Sequence, residues 1–186
     1  MARTALLIGA NRGTGLNLAR ALAAKNWNVV ASVRPQTKQA NDPSVQEVRP
    51  PSFGDGPLDM LINIAGLGPQ PGRWHEHSAG DLQEKFTTNA VVSDLDRVSD
   101  GWNLAYRVSK VALNMVTVTL AKEFQENGDN IAVIALNPGY VPTRMTNFHG
   151  PDDMDECIAG IVKVIENASM DQTGSFLDWR GNILPW

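Results

Sequence analysis

The constraint that most limits this fold lies within the first twenty-five residues. A short apolar run, Ala5 to Ile8, stops in Gly9-Ala10-Asn11-Arg12-Gly13-Thr14-Gly15. Behind the glycines, Leu16, Ala19, Leu22 and Ala23 recur at helical spacing. An apolar strand that turns through glycine into an amphipathic helix is the opening unit of a parallel sheet. Gly9 permits the tight turn, and Gly15 lets the helix approach the strand closely.

The rest of the chain repeats the alternation. Strands are expected at Asn28–Val33, Leu58–Ile64, Ile131–Leu136 and Ser175–Asp178, and Val91-Val92-Ser93 is a sixth, very short candidate. Helices are expected over 79–89, 104–125 and 152–168. In the second, Leu104, Val108, Ala112, Met115 and Thr119 line one face, with Asn127-Gly128 as a C-terminal cap. In the third, Met154, Ile158, Ile161, Val162 and Ile165 read as inward. Residues 35–57 carry five prolines, Pro35, Pro43, Pro50, Pro51 and Pro57, and read as irregular. The expectation is one α/β domain over 1–186, a Rossmann-like doubly wound parallel sheet with its ligand at the carboxyl ends of the strands.

Composition narrows the function. The 186 residues suffice for one domain with a real core. Sixteen basic against twenty acidic residues give a net charge of −4, with no basic block for nucleic acid or a membrane surface. A single cysteine, Cys157, excludes an internal disulfide, and the N-terminus reads as neither signal peptide nor membrane span. A cytoplasmic protein without nucleic-acid or membrane partners is expected.

The glycine loop also has a chemical reading. The free N–H groups and partial positive charge of a helix N-terminus suit a pyrophosphate, and Gly13 lets the backbone reach it. Asn11, Arg12 and Leu16 belong to the same candidate dinucleotide site. An acidic residue ending the second strand would hold the ribose 2′-hydroxyl of NAD(H). Arg34 stands there instead, and Arg12 lies in the loop. Guanidinium groups suit a 2′-phosphate, which favours NADP(H) over NAD(H).

Five motifs in order resemble the short-chain dehydrogenases/reductases, especially the small carbonyl-reductase-like members. They are Gly9-x-x-x-Gly13-x-Gly15; Asp59-Met-Leu-Ile-Asn63-Ile-Ala65-Gly66; Asn89; Tyr106-Arg-Val-Ser-Lys110; and Asn137-Pro138-Gly139-Tyr-Val141-Pro-Thr143. The resemblance implies that Tyr106 exchanges a proton with a small carbonyl or alcohol substrate. Lys110 would hold the nicotinamide ribose and tune Tyr106, and Asn89 would support a proton-relay water. Asn63, Ala65 and Gly66 would shape the cofactor pocket, and Pro138, Gly139, Val141 and Thr143 would meet the nicotinamide carboxamide. The physics agrees: residues four apart on a helix share a face, and a nearby ammonium favours phenolate. A homo-oligomer is within the family's habits.

The pattern is shortened. Only 24 residues separate Arg34 from Asp59, and only 16 separate Asn89 from Tyr106. Relative to the family's seven-stranded sheet, one edge strand and one inner strand are expected to be missing. Losing an inner strand leaves a gap of roughly 4.8 Å to be closed, or unpaired backbone groups at about 1–3 kcal/mol each. Ser93 lies thirteen residues before Tyr106, a spacing that fits the family's carbonyl-orienting serine, yet it equally fits a second serine found just after it. The alternative to an active reductase is an impaired or inactive shortened chain with a cofactor-binding or regulatory role.

Other features read as structural. His75-Glu76-His77 lacks a further ligand set for a metal, so no metal is expected. Cys157 reads as helix packing. His149, Trp74, Trp102, Trp179 and Trp186 are candidates for the substrate cleft whose plainer reading is packing or a solvated loop.

Overall fold

The structure, a computed structural model, describes residues 2–32, 57–66, 78 and 104–186. The expected helix over 79–89, the short strand at 91–93, and Arg34, His75-Glu76-His77, Trp74, Trp102, Asn89 and Ser93 lie outside the described residues. The chain gathers into two compact units, one from 1–65 and 140–162, the other from 66–139 and 163–186.

In the first unit, strand β1 (Thr4–Ile8) leads through the glycine turn into helix α1 (Gly13–Ala24), then into β2 (Asn28–Ser32) and later β3 (Met60–Asn63). The three strands form a parallel sheet in the order β2-β1-β3, with Leu6 opposite both Val30 and Leu61. Ala5 and Leu7 alternate inward and are fully buried, as are Ala10 and Leu22, with Leu18 and Ala19 nearly so. Each such leucine contributes about 1.5–3 kcal/mol by leaving water. Helix α1 ends where Asn26 turns left-handed at φ 62°. The N–H of Trp27 then reaches the carbonyl of Leu22, and that of Asn26 the carbonyl of Ala23, a paired closure that satisfies two terminal carbonyls. Thr4 and Asp59 exchange bonds at the start of the sheet: Thr4 N–H donates to Asp59 Oδ2 at 2.6 Å, and Asp59 N–H to the Thr4 carbonyl at 3.0 Å. That pairing sets the register of β3 on β1.

In the second unit, helix α2 (Leu104–Asn127) precedes β4 (Ala135–Asn137), which pairs in parallel with β5 (Phe176–Asp178). The expected Gly128 cap is present: at φ 76° it directs its N–H to the Gln125 carbonyl, and Asp129 N–H bonds Phe124. Phe176 and Leu177 are buried, and Trp186 stacks on Phe176 at 5.8 Å. Helix α3 (Met154–Glu166) runs from the first unit into the second. It buries Cys157, Ile158, Ile161, Val162 and Ile165, as its spacing predicts. Asp153 starts it, its Oδ1 accepting from the N–H groups of Asp155 and Glu156.

Two expectations are corrected. The strand expected over Ile131–Leu136 is a ladder only at Ala135–Asn137, and Ile131 is exposed. Its partner is only three residues long, and beyond it the Val133 N–H bonds the Thr173 hydroxyl instead of a backbone carbonyl. In α2, too, the face that the apolar residues line is not the buried one. Val108, Met115 and Thr119 point to solvent, while Ser109, Lys110, Asn114, Thr117 and Ala121 are buried. Periodicity locates an amphipathic stripe, but here the polar stripe is the one that faces inward, and a small residue, Ala121, lies under Gly174.

The described strands thus number five, in one sheet of three and one of two. This is a parallel α/β fold in truncated form. Leu61, on the outermost described strand β3, is 60% exposed.

Candidate active site

The glycine loop is built as its sequence requires. Gly9 has φ +90°, and a side chain there would meet the Ala65 backbone at 2.8 Å. The turn after β1 therefore lies against the end of β3, bringing Gly9 and Ala65 together. Asn63 holds that end by accepting the Ala65 N–H on its side-chain oxygen at 3.3 Å. A Cβ on Gly15 would lie 2.5 Å from the Gly9 carbonyl oxygen. Gly13 has φ +53° and faces the methyl of Thr143 at 3.5 Å, so the loop also meets the segment after β4. Arg12 is exposed at the helix entrance in an extended conformation, with no side-chain cap and no acid in the first turn. Leu16 closes the first helical turn on the Arg12 carbonyl. Such an end suits an anion through backbone N–H groups and helix dipole.

The segment after β4 is tightly organised. Gly139 turns at φ +89°, with its N–H on the side-chain oxygen of Asn137. Val141 is buried. Tyr140 and Asp152 close a neck: Tyr140 N–H donates to Asp152 Oδ2 at 2.6 Å, and Asp152 N–H returns to the Tyr140 carbonyl at 3.3 Å. Within the loop, the Thr146 hydroxyl accepts the Thr143 N–H at 2.9 Å and lies 3.0 Å from the Val141 carbonyl. Sequence reasoning missed Thr146 and Asp152, although the Thr143-x-x-Thr146 spacing is a visible capping signal. His149 lies exposed in the same loop.

Helix α2 carries the chemical pair. Tyr106 and Lys110 lie one turn apart on the inward stripe, and the Lys110 ammonium sits over the Tyr106 ring, 5.2 Å from its centroid. Lys110 is only 5% exposed. Ser109, fully buried, spends its hydroxyl on the Tyr106 carbonyl at 2.6 Å, which tightens the helix there. Burial lowers Lys110 to about 7 and raises the Tyr106 phenol above its usual value. The expectation that the ammonium lowers the tyrosine is therefore corrected for this chain on its own. The amine lies over the ring rather than beside the hydroxyl, and desolvation outweighs their attraction.

Residues 90–153 match the family model of short chain dehydrogenases. A dehydrogenase of Rhodococcus sp. strain AD45, named for 1-hydroxy-2-glutathionyl-2-methyl-3-butene, is 25% identical over 98% of this chain and 99% of its own length. The ketoacyl reductase HetN of Nostoc sp. PCC 7120 is 30% identical over 77% of this chain and 66% of its own. The NADPH-bound carbonyl reductase from chicken fatty liver superposes with a TM-score of 0.78 at 26% identity, covering all of this chain and 94% of that one.

The chain belongs to the short-chain dehydrogenase/reductase family.

It is a short member. Its match to the Rhodococcus dehydrogenase spreads 98% of the chain over 228 aligned positions, against 186 residues, so the deficit lies inside the alignment. The two glycine-rich features and the Tyr106–Lys110 pair of this short-chain dehydrogenase/reductase are thus each present and locally intact. Gly9, Asn11, Arg12, Gly13, Gly15, Leu16, Asn63, Ala65, Val141 and Thr143 belong to one unit; Gly66, Tyr106, Lys110, Pro138 and Gly139 belong to the other. Among the described residues no cluster of potential metal ligands is present, and no helix is long and apolar enough to cross a membrane.

Proposed function

We propose that this chain, as a single domain, is an NADP(H)-dependent oxidoreductase of small carbonyl or alcohol substrates. The observation that carries the proposal is the Tyr106–Lys110 pair on one face of α2, with the lysine buried over the tyrosine ring. Several structural relatives support it, among them the NADPH-bound carbonyl reductase of chicken fatty liver and a Pseudomonas aeruginosa carbonyl reductase in complex with NADP.

The residues present fit a dinucleotide. Gly9, Gly13 and Gly15 leave a cradle that side chains would fill, and the entrance of α1 offers N–H groups without an opposing acid. Arg12, with Arg34, is proposed to take the 2′-phosphate; Asn11, Leu16, Asn63, Ala65, Gly66, Pro138, Gly139, Val141 and Thr143 would complete the pocket. When bound, NADP(H) supplies or accepts the hydride. The Tyr106 hydroxyl donates its proton to the carbonyl oxygen during reduction and takes it back during oxidation. A phenol held protonated by burial is a competent donor to a developing alkoxide. Lys110 would hold the ribose, and the negative charge of a bound cofactor would favour its ammonium form. Ser93 is proposed to orient the carbonyl and Asn89 to hold a relay water. The outward stripe of α2, with Val108, Val111, Met115 and Leu120, is proposed as a subunit interface.

The test is NADPH oxidation with a panel of small aldehydes and ketones. Tyr106→Phe should lower it by roughly 10²–10⁴-fold while leaving the melting temperature near that of the wild type. Equal turnover in the two proteins would overturn the mechanism. A second reading, a shortened chain that no longer catalyses, is favoured by its length, 186 residues against 228 aligned positions. It predicts no NADPH-dependent rise in melting temperature and no turnover.

A further inference from the structure

The Lys110 amine has an unusual setting for a lysine. It is 95% removed from solvent, it lies against an aromatic face, and among the described residues no carboxylate pairs with it. Its companions on the inward stripe are neutral: Tyr106, Ser109, Asn114 and Thr117. A buried ammonium without a counter-ion is costly, and the ordinary escape is loss of the proton. The amine so produced is a nucleophile, one helical turn from a phenol that carries a proton.

We infer that, in the absence of cofactor, Lys110 acts as a nucleophilic amine that captures small aldehydes or reactive ketones as an imine. The inference rests on the proposed reductase reading in one respect: the carbonyl presented to Tyr106 is the one that Lys110 attacks. The Nζ lone pair forms a C–N bond to the carbonyl carbon while the π electrons move to oxygen. That oxygen takes the Tyr106 proton, and the phenolate recovers a proton from the attacking nitrogen. The resulting carbinolamine expels its hydroxyl, protonated to water, as the C=N bond forms. One carbonyl and one amine give one imine and one water, with no change in oxidation state.

This reactivity is distinct from hydride transfer and competes with it. The same amine is asked to hold a ribose when cofactor is present. The lowering of Lys110 to about 7 by burial agrees with the geometry, since near neutrality about half of such amines are unprotonated. For an ordinary lysine the neutral share at that pH is on the order of one in a thousand.

The experiment treats the full chain, free of cofactor, with propanal and sodium cyanoborohydride near pH 7. Cyanoborohydride reduces any imine to a stable propyl-amine. Digestion and mass spectrometry then compare Lys110 with the exposed lysines Lys122 and Lys163. The expected result is labelling of Lys110 at least about tenfold faster than of either control, from the larger neutral fraction. The Lys110→Met variant, which buries no charge, should stay folded and lose that fast adduct. Saturating NADP⁺ should slow labelling of Lys110 and leave Lys122 and Lys163 unchanged. Labelling of Lys110 no faster than the controls overturns the inference. Failure of the reductase reading is read separately: NADPH oxidation would be absent while Lys110 is still labelled.

Discussion

A side-chain carbon on Gly15 would lie 2.5 Å from the carbonyl oxygen of Gly9, so the first helix of this protein and the turn that feeds it are in backbone contact. That contact, more than any glycine count, shapes the loop: it draws the helix entrance up to the end of the strand.

The first prediction follows from it. Gly15→Ala must displace backbone and should destabilise the chain by about 1–3 kcal/mol, as overpacking does. It should also weaken NADPH binding. Gly13→Ala meets only the Thr143 methyl at 3.5 Å and should cost about 1 kcal/mol, through its positive φ alone. Denaturant melts of the two variants check the difference, and equal losses would contradict the close contact.

A second prediction concerns pH. Lys110 titrates at about 7 when folded, against 10.5 ordinarily. Between those values the unfolded chain binds the proton that the folded chain has lost, so stability rises with pH across that window. The slope contributed is at most about 1.4 kcal/mol per pH unit. Below pH 7 both states are charged and this contribution is flat. Above pH 10 the sign reverses through Tyr106, whose folded value is raised, because the unfolded phenol ionises first. Unfolding free energies of wild type and Lys110→Met from pH 6 to 10 measure it. The variant should lack the rise.

Arg12 gives a third. It is exposed at the entrance of α1, and the proposed function has it take the 2′-phosphate. Arg12→Ala should weaken NADPH by about 10- to 100-fold, the worth of a charge-assisted bond, and NADH far less. Isothermal titration with both cofactors checks it, and an equal loss for the two would remove Arg12 from cofactor discrimination.

The exposed stripe of α2 gives the fourth. Met115 is 67% exposed and shares a helix face with the exposed Val108 and Val111. Met115→Lys should convert a dimer into a monomer in sedimentation equilibrium, with helix content unchanged. A wild type that is already monomeric at high concentration would refute the interface.

Much of this was legible from the residues alone. The strand at Ala5–Ile8, the glycine turn, the cap at Gly128 and the inward face of α3 all follow from local rules of spacing and backbone conformation. The misreadings share one physical cause. Periodicity reports that a helix has two unlike faces, and burial is normally assigned to the apolar one. In α2 the inward face carries Tyr106, Lys110, Asn114 and Thr117, and apolar residues were left outside. The tuning of Lys110 was likewise invisible, because desolvation depends on neighbours brought from elsewhere in the chain. Spacing within four residues predicts an ion–phenol attraction, whereas only the folded structure shows that water has been removed from both groups. The shortened β4 ladder escaped for the same reason, since its length is set by a three-residue partner forty positions away.

The neck formed by Tyr140 and Asp152 has a consequence for how such a protein diversifies. The bonds that close it use backbone groups and one carboxylate, and the loop's interior is held by Thr143 and Thr146. The exposed positions between them, Met145, Asn147, Phe148 and His149, bear none of the sheet's weight. They form a cassette: descendants can rewrite them one at a time, or exchange the whole segment, without reopening the core. Variation in this loop is thereby uncoupled from the inheritance of the fold.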